Sequence, residues 1–246
     1  MPPLTGNGLV PETIAGNVSR ILENIRSAAV RSGRRADAVR LVAATKSVSV
    51  ERIGEAVSAG VAILGENRLQ EALPKIERLG HETVTWHFIG RLQRRKVKAV
   101  VGRFALIHSV DNIELAEEIN RRAAEAGIRQ SVLLEVNIGG EGTKGGFAPQ
   151  SIAEACGRLR GLPHIAVKGL MTIPPLERDL VRTRFYFRKL RELAQSLTQP
   201  DAVTINMEEL SMGMSADYPV AVEEGATLVR VGTAIFGARD VRPAYG

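Results

Sequence analysis

Eight short apolar runs, at residues 40–45, 61–64, 84–89, 104–108, 131–137, 165–172, 205–211 and 227–231, alternate with longer stretches of helical periodicity. Apolar runs of this length without clean in–out alternation suit strands that are covered on both faces. The stretches between them, such as 113–126 and 179–197, are long enough to cross over between parallel strands. Eight such units favour a closed barrel over an open doubly wound sheet, and a complete barrel of this kind takes about 250 residues. The 246-residue chain is therefore expected to be α/β, a single (β/α)8 TIM barrel forming one domain over 1–246. An additional N-terminal helix is expected over 11–33, where Ile14, Val18, Ile21, Leu22 and Ile25 recur at helical spacing. The seventh run is the least regular, because Glu208 and Glu209 interrupt it.

Composition narrows the function classes. No apolar run approaches the ~20 residues that cross a bilayer, and the first ten residues lack the basic-then-apolar pattern of a signal peptide, so a cytoplasmic protein without membrane contact is expected. The single Cys156 lies beside Ala153 and Leu159 in a helical pattern and reads as a buried small hydrophobe. A net charge of +6 suits an anionic ligand or nucleic acid without implying either. The densest basic run, Arg91, Arg94, Arg95, Lys96 and Lys98, reads as a solvated helix with Leu92 and Val97 facing the core. Aromatic residues do not interleave with it, so nucleic acid is not the expected partner. His81 and His164 have no ligand spacing with cysteines or carboxylates, and no metal is expected.

Barrel sites gather at the C-terminal ends of the strands. The first run ends in Lys46, the second in Gly65-Glu66-Asn67, the third in His87-Phe88-Ile89-Gly90 and the fourth in His108-Ser109. A lysine held among apolar walls loses charge stabilisation and becomes a nucleophile toward aldehydes, which makes Lys46 the principal candidate. Lys168 stands early in the sixth run and ranks below it. Glycine-containing loops after the seventh run (Ser211, Met212, Gly213, Met214, Ser215) and the eighth (Gly232, Thr233) are where barrels build phosphate sites. Arg230 should face the axis if Val229 and Val231 pack outward, where it would donate to a ring nitrogen or pair with Glu135 or Glu209.

Seven segments, LVAATK (41–46), GENRLQEA (65–72), WHFIGRLQ (86–93), IHSVDN (107–112), LLEVNIGGEGTKGGF (133–147), GLMTI (169–173) and the run 210–237, together resemble the pyridoxal phosphate homeostasis (YggS/PROSC-like) family in order along nearly the whole chain. The resemblance implies a barrel like the alanine racemase N-terminal domain, with pyridoxal 5′-phosphate (PLP) held as an internal aldimine on Lys46. It implies that the 211–215 loop with Gly232 and Thr233 holds the phosphate, that Arg230 meets the pyridine nitrogen, and that Asn67, His87 and Ser109 lie near the ring. It implies intracellular buffering and delivery of PLP, with apo PLP-dependent enzymes as partners and no established turnover. One departure is visible: the family usually carries asparagine two residues after the glutamine of the third loop, and here Gln93 is followed by Arg94 and Arg95.

Three other readings remain open on sequence: a PLP-dependent amino-acid racemase, a cofactor-free Schiff-base aldolase using Lys168, and a nucleic-acid-binding protein acting through 91–98. A racemase of the alanine type needs a second domain and a second base, and only 238–246 follow the barrel pattern. A non-catalytic monomer is the expectation.

Overall fold

The computed structural model describes residues 13–177, 179–198 and 205–237. Eight parallel strands close into a barrel in sequence order: β1 (Arg40–Ala44), β2 (Ile63–Glu66), β3 (Thr85–Phe88), β4 (Leu106–Val110), β5 (Gln130–Glu135), β6 (Ile165–Met171), β7 (Ile205–Ser211) and β8 (Leu228–Val231). Around them stand α2 (Val50–Ser58), α3 (Leu69–Leu79), α4 (Val97–Val100), α5 (Ile113–Glu125), α6 (Ile152–Leu159), α7 (Leu180–Leu197), α8 (Tyr218–Glu223) and α9 (Thr233–Phe236). The additional N-terminal helix, α1 (Ile14–Arg31), is capped by the Thr13 hydroxyl and tied by Asn17 to the Ile235 carbonyl and by Asn24 to the Tyr218 hydroxyl. Residues 11 and 12 of the expected helix lie outside the described residues.

Two separate apolar clusters record the period-two alternation of strands in a closed barrel. Leu41 and Ala43 of β1, Trp86 and Phe88 of β3, and Val229 and Val231 of β8 belong to the large cluster under the helices. Val42, Ile63, Ile89, Leu106, Leu133, Met171 and Leu228 form the small cluster on the axis, against Ala44. Arg230, between two outward valines, therefore points into the barrel. Cys156 packs into the outer cluster from α6, and burial pushes its thiol up to about 11, so it stays protonated.

Three details differ from the pattern read in the sequence. The second and fourth strands begin two residues later, because Val61 and Phe104 pack in the outer cluster before the ladder starts. His108 and Ser109 consequently lie within β4 and not at its end. The basic run is not one helix: Arg94–Lys96 form a 3-10 turn leading into the short α4, with Leu92 and Val97 buried as expected. The two acidic residues of β7 are accommodated separately, Glu208 in solvent and Glu209 paired with Arg40 and accepting from the Thr227 hydroxyl at 2.6 Å.

β6 and β7 approach so closely that a Cβ on Gly169 would stand 1.8 Å from the Glu209 carbonyl oxygen. Gly169→Ala should therefore lower unfolding stability by roughly 1–3 kcal/mol, the usual cost of overpacking, measured by chemical denaturation against wild type.

Candidate functional site

Lys46 follows β1 at the C-terminal mouth of the barrel, and its backbone is held on both sides by α3. The Lys75 ammonium donates to the Thr45 carbonyl at 2.7 Å and to Glu66 Oε1 at 2.7 Å, while the Thr45 hydroxyl donates to the same carboxylate oxygen at 2.6 Å. Thr45 and Glu66 are fully buried and Lys75 nearly so. On the other side Ser47 sits at φ +59°, the left-handed region, with its N–H donated to Glu71 Oε2 at 2.7 Å. A non-glycine residue in that region needs support from its surroundings, and Glu71 supplies it. The Lys46 side chain itself is exposed, open to solvent and not enclosed by apolar walls as the sequence argument supposed.

The neighbours of β1 bring two further parts to the mouth. On the β2 side a cavity of about 150 Å³ is lined by Asn67, Ile89, Gly90, Ser109, Asp111 and Glu135, among others. Asn67 Oδ1 is buried there with no hydrogen-bond partner. Gly90 passes so near Asn67 that a Cβ would lie 2.2 Å from its carbonyl oxygen, and Ser109 donates to the Gly90 carbonyl. Desolvation raises the carboxyl of Asp111, against the charge of Arg91, and raises that of Glu135, with Asp111 adding to it.

On the β8 side, a Cβ on Gly232 would lie 3.1 Å from the Ala44 carbonyl, so the last strand ends directly against β1. The backbone N–H groups of Gly232 and Ala234 both donate to the Ser215 hydroxyl at 3.3 Å, and Thr233 beside them is exposed. The loop before it turns at Gly213, φ +90°, where a Cβ would meet that of Ala221 at 2.5 Å. Met214 donates its N–H to Asp217 Oδ1 at 2.6 Å. Hydroxyl and N–H groups thus converge on the open end of β8, a constellation suited to an anion.

Four polar side chains from β3, β4, β7 and β8 meet on the axis below the mouth. Arg230 donates through Nη1 to both the carbonyl and the hydroxyl of Ser211, and through Nη2 to the Thr172 carbonyl at 2.9 Å. Ser211 Oγ lies 2.8 Å from His108 Nδ1, and His108 Nε2 lies 3.0 Å from His87 Nδ1. Burial lowers His87 to about 3, and burial with the charges of His87, Arg230 and Arg40 lowers His108 well below its usual value. Desolvation also lowers Arg230 to about 10, which leaves it a cation at neutral pH. It forms no pair with Glu135 or Glu209 at contact distance, and its partners are oxygens of Ser211 and Thr172.

The structure thus brings Lys46, Asn67, Ser109, Ser215, Gly232 and Thr233 to the mouth, with Gly213 and Met214 in the turn beside them. It sets His87, Ser211 and Met212 lower. His87 lies one inward step beneath Ile89, and the Ser211 hydroxyl is committed to Arg230 and His108. The Met212 side chain packs in the outer cluster and its N–H is bonded to the Leu228 carbonyl. Lys168 is half-buried where the β5–β6 and β6–β7 registers shift, away from the mouth. Among the described residues no group of three or more His, Cys, Asp or Glu side chains is placed to hold a metal ion. Sequence reading missed Lys75, whose signal is a lysine on the buried stripe of α3 with Leu69, Ala72 and Ile76. Asp111 and Glu135 carried no local signal beyond their positions near strand ends.

Two consequences are measurable. Lys75→Met leaves the Glu66 carboxylate buried without its cation and should cost about 3–5 kcal/mol in denaturant unfolding, with Glu66→Gln added to it recovering part of the loss. The two axial histidines make the fold acid-sensitive. Unfolded histidine takes up its proton near pH 6.5, whereas folded His87 does so only at about 3. The unfolded chain therefore binds more protons below pH 6.5, and stability should fall by up to ~1.4 kcal/mol per pH unit per histidine on acidification, a slope that His87→Phe should reduce.

The profile of the family described as "Alanine racemase, N-terminal domain" matches residues 17–240. A relative from Aquifex aeolicus, named a pyridoxal phosphate homeostasis protein, is 48% identical over 222 residues, 90% of this chain and 96% of its own. The protein of that name from Escherichia coli K12 is 35% identical, over 92% and 97%. Among solved structures, PipY of Synechococcus elongatus, described as having PLP bound, superposes with a TM-score of 0.76 at 38% identity, covering 88% of this chain and all of its own. Alanine racemase from Corynebacterium glutamicum superposes at 0.65 with 17% identity, over 93% of this chain and 63% of the racemase, a likeness of fold alone. With its eight-stranded barrel, its lysine after β1 and these relatives, the chain belongs to the alanine racemase N-terminal domain family and, within it, to the pyridoxal phosphate homeostasis proteins.

Proposed function

We propose that this chain binds PLP covalently through Lys46 and serves intracellular PLP homeostasis, buffering the cofactor and delivering it to apo PLP-dependent enzymes, without turning over an amino acid itself. The observation that carries the reading is the juxtaposition at the mouth. An accessible amine, clamped at its backbone by Lys75 and Glu71, stands between the Asn67 side and the anion-suited end of β8.

The residues present fit the group. Lys46 is the only lysine at the end of a described strand facing the mouth, and its exposure suits a protein that must take up and release its cargo. The N–H groups of Gly232 and Ala234 with the Ser215 hydroxyl would hold a phosphate dianion. Asn67 Oδ1, buried and unpartnered, would accept from a polar substituent on the ring. Arg230 remains charged and has no lone pair to offer, so toward a pyridine nitrogen it acts only as a donor. Bound PLP supplies an electron sink that works best when its ring nitrogen is protonated, and a guanidinium donor there withholds that proton. This arrangement supports storage over carbanion chemistry. The expected monomer and cytoplasmic setting belong to the same proposal; among the described residues no helix is long and apolar enough to cross a membrane.

Purified wild type incubated with PLP and desalted should retain an absorption band near ~420 nm, and Lys46→Ala should not. Loaded wild type should exchange the α-proton of alanine in D2O no faster than free PLP does. Retention by Lys46→Ala would overturn the site, and rapid exchange dependent on Lys46 would establish the racemase reading in place of the carrier.

A further inference from the structure

The axial side chains His87, His108, Ser211 and Arg230 are at most 5% exposed, come from four different strands, and form one unbroken hydrogen-bonded line. Their donor and acceptor capacities give the line a direction. Arginine only donates, so Ser211 Oγ accepts from Nη1. Of the two directions open to a hydroxyl with two lone pairs, the one that leaves no Ser211 proton without an acceptor sends that proton to a bare His108 Nδ1. His108 carries its proton on Nε2 and donates it to His87 Nδ1, which leaves the His87 proton on Nε2. In this direction every contact along the line pairs one donor with one acceptor. Neutral histidines are required throughout, and burial keeps them so; the charges that face them are Arg40 and Arg230, while Glu135 and Asp217 face Arg230. At the upper end both Nη1 hydrogens and one on Nη2 are occupied by Ser211 and Thr172, and among the described residues Nε and the second Nη2 hydrogen make no hydrogen bond.

We propose that His108 and Ser211 are positioning residues, which fix the Arg230 guanidinium in the single orientation that presents its uncommitted hydrogens to the ring nitrogen of bound PLP, with His87 anchoring the far end of the line. The inference rests on the PLP reading above. Without the line, Arg230 keeps its charge but loses the Ser211 hydroxyl as a directional partner. The guanidinium then keeps only its backbone acceptors, the Ser211 and Thr172 carbonyls, its uncommitted hydrogens are no longer held toward the ring nitrogen, and that nitrogen takes up a proton from solvent. The line reaches from the axis to the cofactor without any of its lower members touching the cofactor.

The test uses His108→Leu, Ser211→Ala and His108→Gln, each loaded with PLP, desalted and compared with wild type. The Gln amide sets an acceptor and a donor about as far apart as the two ring nitrogens, so it accepts from Ser211 and donates to His87. Two quantities are read: the absorption maximum from pH 6 to 9, and the rate of PLP release into a trap. Melting of the unloaded proteins controls for stability. Wild type should show a pH-independent band. His108→Leu and Ser211→Ala should acquire a pH-dependent band and release PLP about ten- to a hundredfold faster, the scale of losing one charge-assisted bond. His108→Gln should restore both. Unchanged bands and release in Leu and Ala variants that melt normally would overturn the proposal, as would a Gln variant that behaves like Leu. If His108→Leu does not fold, nitrogen-15 spectra of unloaded wild type decide: His108 protonated on Nε2 alone supports the line, and a proton on Nδ1 overturns it. A wild type that retains no band sinks the PLP reading and this inference with it, whereas a wild-type band unaltered in the folded variants sinks this inference alone.

Discussion

A strand in the middle of a closed barrel is covered on both faces, and exposed residues such as Arg40, Thr85 and Glu208 are exceptions. Each of its buried residues is committed either to the axis or to the layer beneath the helices, and a shift of one residue exchanges the two sets. Val229 and Val231 under the helices therefore oblige Arg230 to enter the axis, where a cation must find oxygen acceptors or lose its charge. It finds them in Ser211 and Thr172, and the Ser211 hydroxyl lies against His108, and His108 against His87. The polar line on the axis follows from one arginine placed by alternation. The small apolar cluster of Val42, Ile63, Leu106, Leu133 and Leu228 excludes water from around it.

The same constraint acts at the first strand. Ala43 faces outward and Ala44 partly fills the axis, so Lys46 leaves the barrel at the mouth, next in the inward phase. What the alternation does not supply is rigidity, because a residue beyond its strand has no ladder to hold it. Lys75 and Glu71 provide that from α3, one by way of the Thr45 carbonyl and the other by way of Ser47 in its left-handed conformation. Under the proposed role, an amine that gains and loses a bound aldehyde benefits from a fixed backbone and a free side chain, and here the two are separated at adjacent residues.

The eight strands, the N-terminal helix and the inward direction of Arg230 were legible in the sequence because each depends on local periodicity. Lys46 and the loops after β7 and β8 were legible because barrels place their chemistry at the same ends of their strands. Depth along the axis is what a single strand's sequence does not carry. His87, Ser211 and Met212 belong to segments that reach the mouth, yet a residue or two of stagger sets them below it or turns them into the outer packing. Stagger between strands is a property of the closed barrel and leaves no mark on a single strand's sequence. The Lys75–Glu66 pair was missed for a related reason: nine residues and a change of element separate the two side chains, and only the packing of α3 on the ends of β1 and β2 brings them to 2.7 Å.

The central claim is that one lysine, Lys46, receives the aldehyde. Borohydride reduction of PLP-loaded wild type, followed by proteolysis and mass mapping, tests it directly. The account predicts a single pyridoxyl-modified peptide, the one that contains Lys46, at a stoichiometry approaching one. Label distributed over Lys75, Lys144 or Lys168, or absent from Lys46 in protein that still retains PLP, would contradict it.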